Sequence, residues 1–293
     1  MSHLIHPDLS SSEIITVTPE SAGWDYLSFR VVQLASGATY EFESGHEEVA
    51  IVPLGGQGSV AVDGQRFDLQ RNSVFVGPPA LVYAPPGCAI QITAQADFEF
   101  AVGGAPATGK YPVRLIQPDE IKCEVRGGGA ARRQVNHILA PPLQAERLIL
   151  FEVYVPGGAW SGWPPHCHDG AGGSPYLEEV YYYRIDPANG FAIHRNYRLD
   201  TDFDELLPVT HGDLVLVTQG YHPVAAAPGS NVYFLNYLAG ELLDEARATP
   251  PLDDHRYAWI KQDWEGNLLS LPINPMPINP MPSNSMPISR EDL

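Results

Sequence analysis

The 293-residue chain is 44% hydrophobic and 18% charged, which excludes an unstructured polymer and allows one large domain or two of about 150 residues each. Its 27 glycines and 28 prolines favour short elements joined by turns over long helices. A net charge of −18 repels nucleic acid and anionic lipid, so neither is expected as a partner, and three cysteines (Cys88, Cys123, Cys167) make no disulfide framework.

Residues 1–7 lack the basic and apolar regions of a secretory leader, and no run approaches the ~18 apolar residues of a membrane span. A cytoplasmic protein is therefore expected. Alternation of period two predicts strands at 49–52, 59–62 and 65–69, the last two joined as a hairpin by Asp63-Gly64. Gly55-Gly56-Gln57-Gly58 reads as a break between the first two. Further strands are expected at 73–76, 81–84, 89–93 and 98–102. Gly/Ala-rich stretches at 103–109 and 126–131 read as connections.

The same rhythm resumes at 147–155, 178–185, 191–198, 213–217, 222–226 and 231–238, followed by a short helix at 239–247. The expected fold is all-β: two jelly-roll or β-barrel domains with few short helices. The domains are expected at 1–110 and 146–267, with a connecting segment at 111–145. From Pro272 the chain reads PINPM, PINPM, PSNSM, PISRE, an imperfect repeat with proline in every unit. That composition forbids a helix and has little to bury, so 268–293 is expected to be a disordered tail.

Spacing singles out a few histidines. In His166-Cys167-His168 the two imidazoles sit at i and i+2, and on a strand they point to one face, with Cys167 on the other. The β-prone run Leu177-Glu178-Glu179-Val180-Tyr181-Tyr182-Tyr183 follows and supplies a carboxylate. Gly220-Tyr221-His222 closes a later strand. Three imidazoles and one carboxylate suit a borderline divalent ion such as Zn, Fe, Mn, Co or Ni.

The pattern Gly158…His166-x-His168…Glu179 with Gly212…Gly220-x-His222 resembles the two motifs of the cupin superfamily. Several segments resemble the 5-deoxy-glucuronate isomerase family of inositol catabolism, whose members are bicupins. They are Trp160-Ser161…Pro164-Pro165-His166-x-His168-Asp169, Leu177-Glu178-Glu179-Val180-Tyr181-Tyr182-Tyr183-Arg184, Gly220-Tyr221-His222-Pro223-Val224 and Tyr233-Phe234-Leu235-Asn236. Arg133-x-Val135-x-x-Ile138 and Asp254-His255-x-x-Ala258-Trp259 also fit. Thr218 departs from the proline usual before the second-motif glycine, and Cys167 stands where a basic residue is expected. In the first half, His46-Glu47-Glu48-Val49 echoes the motif without an H-x-H, so that barrel is expected to be a degenerate cupin.

The resemblance implies an aldose–ketose isomerisation of 5-deoxy-glucuronate to 5-dehydro-2-deoxy-gluconate. It implies one divalent metal ion, Zn, Mn or Fe, on His166, His168, Glu179 and His222, because cupins place the ligand glutamate immediately before a β-branched or aromatic run. Tyr181 and Tyr183 share parity with Glu179 and are the candidates for acid–base work, with Tyr221 as a further one. Arg133, Arg184 and Arg195 are the candidates for the substrate carboxylate, since a guanidinium binds a carboxylate through two parallel bonds. The partner is a small sugar acid, with a homo-oligomer left open. Two other activities share this ligand set: isomerisation of 4-deoxy-5-keto-hexuronate, and iron-dependent dioxygenation.

Overall fold

A computed structural model of the chain describes residues 2–265 together with 268, 269, 271 and 273. Most of the repeat tail expected at 268–293 lies outside the described residues. The protein is all-β, with short helical turns only, and no helix among the described residues is long and apolar enough to cross a membrane.

Two large antiparallel sheets carry the architecture. In spatial order the first runs Glu13–Val17, Ser28–Leu34, Ala89–Pro106, Glu47–Val62, Leu81–Ala84, Arg114–Ile116, with Thr39–Glu43 and Gln65–Arg71 paired alongside. The second runs Leu4–Ile5, Leu214–Val217, Leu177–Asp186, Asn231–Gly240, Ile149–Val155, Arg133–Leu139, Lys122–Arg126. A third sheet of Trp160–Ser161, Val224–Ala226, Ala192–Tyr197 and Asp204–Val209 completes the second barrel.

Strand alternation divides most of the buried apolar residues among three large cores. One fills the first barrel around Val49, Ile51, Ile92 and Phe100. Another fills the second around Tyr181, Tyr183, Val215 and Phe234. The largest lies between the barrels and takes the opposite faces of the same strands: Ala50 and Val52 from one side, Val180, Tyr182 and Tyr237 from the other.

The halves are related by exchange. Leu4–Ile5 leads the first half but pairs with Leu214–Val217 of the second. Arg114–Ile116 leads the second half but pairs with Leu81–Ala84 of the first. Within the expected connection 111–145, Lys122–Arg126 and Arg133–Leu139 form one edge of the second sheet.

Several expected breaks are absent. Glu47–Val62 is one strand that absorbs its glycines as bulges between Pro53 and Gly55 and between Gly56 and Gly58. Gly56 has φ +87°, and a Cβ there would lie 1.7 Å from the Asp97 carbonyl oxygen. Ala89–Pro106 is likewise continuous, through the start of the expected 103–109 connection. The segment 73–76 is a turn instead of a strand. The helix expected at 239–247 is not formed. Ala239 and Gly240 complete a strand, and only a 3-10 turn follows at Asp244–Ala248. The strands Glu13–Val17, Ser28–Leu34 and Thr39–Glu43 were not expected.

Candidate metal centre

The Leu177–Asp186 strand separates two adjacent carboxylates. Glu178 faces the first barrel, where it accepts the backbone N–H groups of Asp25, Tyr26 and Leu27 at 2.7, 2.9 and 2.7 Å. Glu179 faces the interior of the second barrel with Tyr181 and Tyr183, as strand parity requires. His166 and Cys167 form a two-residue strand paired with Leu252–Asp253. His222 follows Gly220, whose φ of +77° and whose closeness to the Tyr197 carbonyl oxygen, 2.2 Å from where a Cβ would stand, leave no room for a side chain.

Glu179, His168 and His222 converge, all buried, with one ligand atom of each within 4.8 Å of the others. Their tautomers follow from their partners. A carbonyl only accepts, so His168 Nδ1 donates to Leu177 O at 2.9 Å and His222 Nδ1 donates to Gly220 O at 3.1 Å. In the neutral rings both Nε2 atoms then carry lone pairs. They approach the same carboxylate oxygen, Glu179 Oε2, at 2.9 Å from His168 and 3.4 Å from His222. His222 Nε2 is buried with no hydrogen-bond partner. Lone pairs that converge in this way call for a cation.

The electrostatics agree. Burial raises the Glu179 pKa. Burial opposes the charged form of His168, but the bond to Glu179 and its charge prevail, and the His168 pKa rises. A proton there answers only one of the two lone pairs. His222 is held well below its ordinary range by burial and by His166 and His168. This donor set, imidazole Nε2 atoms and a carboxylate around a point that one proton cannot satisfy, fits a divalent ion. His166 stands beside the trio, its ring centroid 4.7 Å from that of His222 and 6.3 Å from that of His168. Burial draws its pKa down to about 3, with His168 and Arg133 adding to the shift, so it too is neutral.

A cavity of about 440 Å³ opens over Glu179, His166 and His168, a volume suited to a small molecule. Tyr181 lines it, its phenol held far above the ordinary range by burial and by the charge of Glu179. Arg133 also lines it. Its Nη1 reaches the carbonyls of Ala131 and Trp163, its Nε is buried without a partner, and no carboxylate among the described residues pairs with it. Burial, with repulsion from Arg126, brings its pKa down to about 10, so it is charged at neutral pH.

Other candidates lie elsewhere. The Tyr183 hydroxyl is spent on His194 Nδ1 at 2.7 Å, outside the cavity lining. Tyr221 stacks on Tyr197, ring centroids 5.3 Å apart, on the far side of the His222 turn. Arg184 points between the barrels and pairs with Glu99. Arg195 is bound to Asp204 at the surface, at 2.6 Å. In the first barrel Glu47 accepts from the Ser28 hydroxyl, and Glu48 accepts the N–H groups of Glu146, Arg147 and Leu148. Spacing did not single out Asn236, Arg126, Lys261 and Trp264 as cavity residues. Asn236 belongs to the family-like segment Tyr233-Phe234-Leu235-Asn236, but the other three come from segments with no periodic signal.

Against known proteins, the model of the KduI/IolB family matches residues 3–260. The 5-deoxy-glucuronate isomerase of Geobacillus kaustophilus is 42% identical over 248 residues, 82% of this chain and 90% of that protein. The enzyme of the same name from Bacillus subtilis strain 168 is 36% identical over 251 residues, 83% of this chain and 91% of its own. A crystal structure of an IolB-like protein from Salmonella typhimurium LT2 superposes with a TM-score of 0.84 at 39% identity, covering 88% of this chain and 98% of that one. The oxalate decarboxylase of Lactobacillus farciminis, at TM-score 0.54 and 13% identity over 78% of this chain and 81% of its own, shares the fold alone.

Proposed function

The chain belongs to the KduI/IolB family, and from that membership we propose that it isomerises 5-deoxy-glucuronate to 5-dehydro-2-deoxy-gluconate, the activity named for its relatives. The observation that carries the reading is the partnerless Nε2 of buried His222 beside Glu179 and His168, the latter two on the wall of a cavity that also holds Arg133, with which no carboxylate among the described residues pairs. We assign the ion, Zn, Mn or Fe, to His166, His168, Glu179 and His222. When bound, such an ion supplies Lewis acidity to a carbonyl and its neighbouring hydroxyl.

The remaining work falls to the chain. The reaction moves the carbonyl from C1 to C2 of the open-chain sugar acid and a proton from C2 to C1. Arg133 takes the substrate carboxylate, because its guanidinium has no carboxylate partner among the described residues and carries its charge into an acidic protein. Tyr181 keeps its proton, since its pKa is raised, and so serves as a hydrogen-bond donor or acid toward a substrate oxygen and not as the base. Tyr183 positions His194. The apolar walls, among them Phe151, Val153 and Phe234, exclude water from the reacting carbons. We place the reaction in the cytoplasm, in keeping with three unpaired thiols, and take 146–267 as the catalytic unit, to which the 111–145 segment adds Arg133, with 1–110 as its supporting barrel.

The test is turnover of 5-deoxy-glucuronate by metal-stripped and reconstituted protein, followed with an oxygen electrode. We expect activity to vanish on stripping, return with the ion and consume no oxygen. Full activity in the stripped protein would overturn the metal-assisted reading. Oxygen uptake would indicate dioxygenation, and preferential turnover of 4-deoxy-5-keto-hexuronate would reassign the substrate. Arg133→Ala should raise KM by ~10–100-fold, the loss of one charged hydrogen-bonded contact, with a smaller change in kcat; unchanged KM removes Arg133 from the site.

A further inference from the structure

The residue after the second histidine of the H-x-H pair, Asp169, makes bonds that the proposed chemistry does not use. Its side chain is 8% exposed, and Oδ2 accepts two bonds, from the Gly220 N–H at 2.7 Å and from Arg198 Nη1 at 2.9 Å. Oδ1 accepts the N–H of Ala171 at 3.1 Å. Gly220 in turn offers its carbonyl oxygen to His222 Nδ1. One glycine is thus held at its N–H by the neighbour of His168 and at its carbonyl by the ring of His222.

We propose that Asp169 is a positioning residue for the metal centre, acting through Gly220 to fix the tautomer and orientation of His222. The inference rests on the metal reading above. Gly220 is in the left-handed region and has no side chain to pack, so its conformation depends on what its backbone binds. On the far side of the turn, Tyr197 and Tyr221 exchange N–H···O bonds at 2.9 and 2.8 Å, which hold the strand but leave the Gly220 N–H to Asp169 alone. With Asp169 removed, that N–H loses its acceptor, and the peptide whose carbonyl orients His222 is held from one side only, through the Tyr221 N–H bond to Tyr197. The same carboxylate ties the His168 segment to the His222 segment, so the spacing between two imidazole ligands passes through it. Arg198 holds the carboxylate on its outer side and is also bound to Asp200 at 2.7 Å. Bonds of this kind to a ligand imidazole set both its basicity and its aim.

The test measures Zn2+ affinity by chelator competition in the full-length wild type, Asp169→Ala and Asp169→Asn, with the melting temperature of each metal-free protein alongside. Asp169→Ala should weaken Zn2+ binding by ~10–100-fold. Asp169→Asn, which keeps one acceptor oxygen, should recover part of that loss. A purely structural role would lower the metal-free melting temperature and leave Zn2+ affinity within about twofold of wild type, and that outcome overturns the proposal. Should Asp169→Ala fail to fold, Asp169→Leu, which keeps the side-chain volume but no acceptor, decides by the same twofold criterion. Failure of the wild type itself to bind one Zn2+ per chain would instead overturn the metal reading, so the two failures are distinct.

Discussion

Two neighbouring glutamates, Glu178 and Glu179, carry opposite duties one residue apart. Glu178 holds three N–H groups of the other barrel, so Glu178→Gln should destabilise the fold by roughly 1–3 kcal/mol while Zn2+ affinity stays near wild type. Glu179→Gln should do the reverse, abolishing tight Zn2+ binding with little change in the metal-free melting temperature. Denaturation with and without Zn2+ separates them, and matching profiles for the two variants would refute the division. His194 gives a pH effect. Burial draws its pKa down to about 3 from the ordinary 6.5, against a weaker upward pull from Asn196. Between those values the unfolded chain binds a proton that the folded chain refuses, so stability falls as the pH drops through the window and is unaffected above it. In His194→Gln the urea midpoint should change less between about pH 7 and about pH 5 than in wild type; an equal change would rule His194 out as a source. Parity made Glu179 and Tyr181 legible, because a period of two encodes the face of a strand locally. Arg184 and Arg195 were not resolved that way. Their partners, Glu99 and Asp204, belong to other strands, and an arginine is long enough to reach whichever carboxylate the fold brings near.

At the level of elements, the strands were visible wherever alternation was clean and were cut short wherever glycine interrupted it. In Glu47–Val62 the glycines bend a strand that continues, and only its partner across the sheet, Ala89–Pro106, reveals this. Gly103 makes the same point. Its neighbourhood reads as a connection, yet it lies in a strand under a buried ring, and a Cβ there would stand 2.3 Å from Tyr237 Cδ1. Gly103→Ala should therefore cost ~1–3 kcal/mol of stability, read as a lowered denaturation midpoint. A midpoint within error of wild type would show that the ring can give way. The short helix expected at 239–247 failed because Ala239 is buried in a sheet, where tertiary pairing outweighs local propensity.

Over the whole molecule, the sheet faces that look away from the two barrel interiors are buried against each other. That interface also carries ionic bonds: Arg71 of the first half binds Glu152 of the second at 2.6 Å, both fully buried, with Tyr233 donating to the same glutamate at 2.8 Å. Arg71→Met should cost several kcal/mol, because it leaves the Glu152 charge buried without its counter-ion. The halves should still unfold together, in one transition by fluorescence and circular dichroism; two separated transitions would mean that the barrels are independent. The exchanged strands carry a consequence for synthesis. On the ribosome, Leu4 and Ile5 emerge some two hundred residues before the strand that receives them, Leu214–Val217. These two residues must wait, unpaired, until most of the second barrel has been translated, so a strand made early is among the last to be seated.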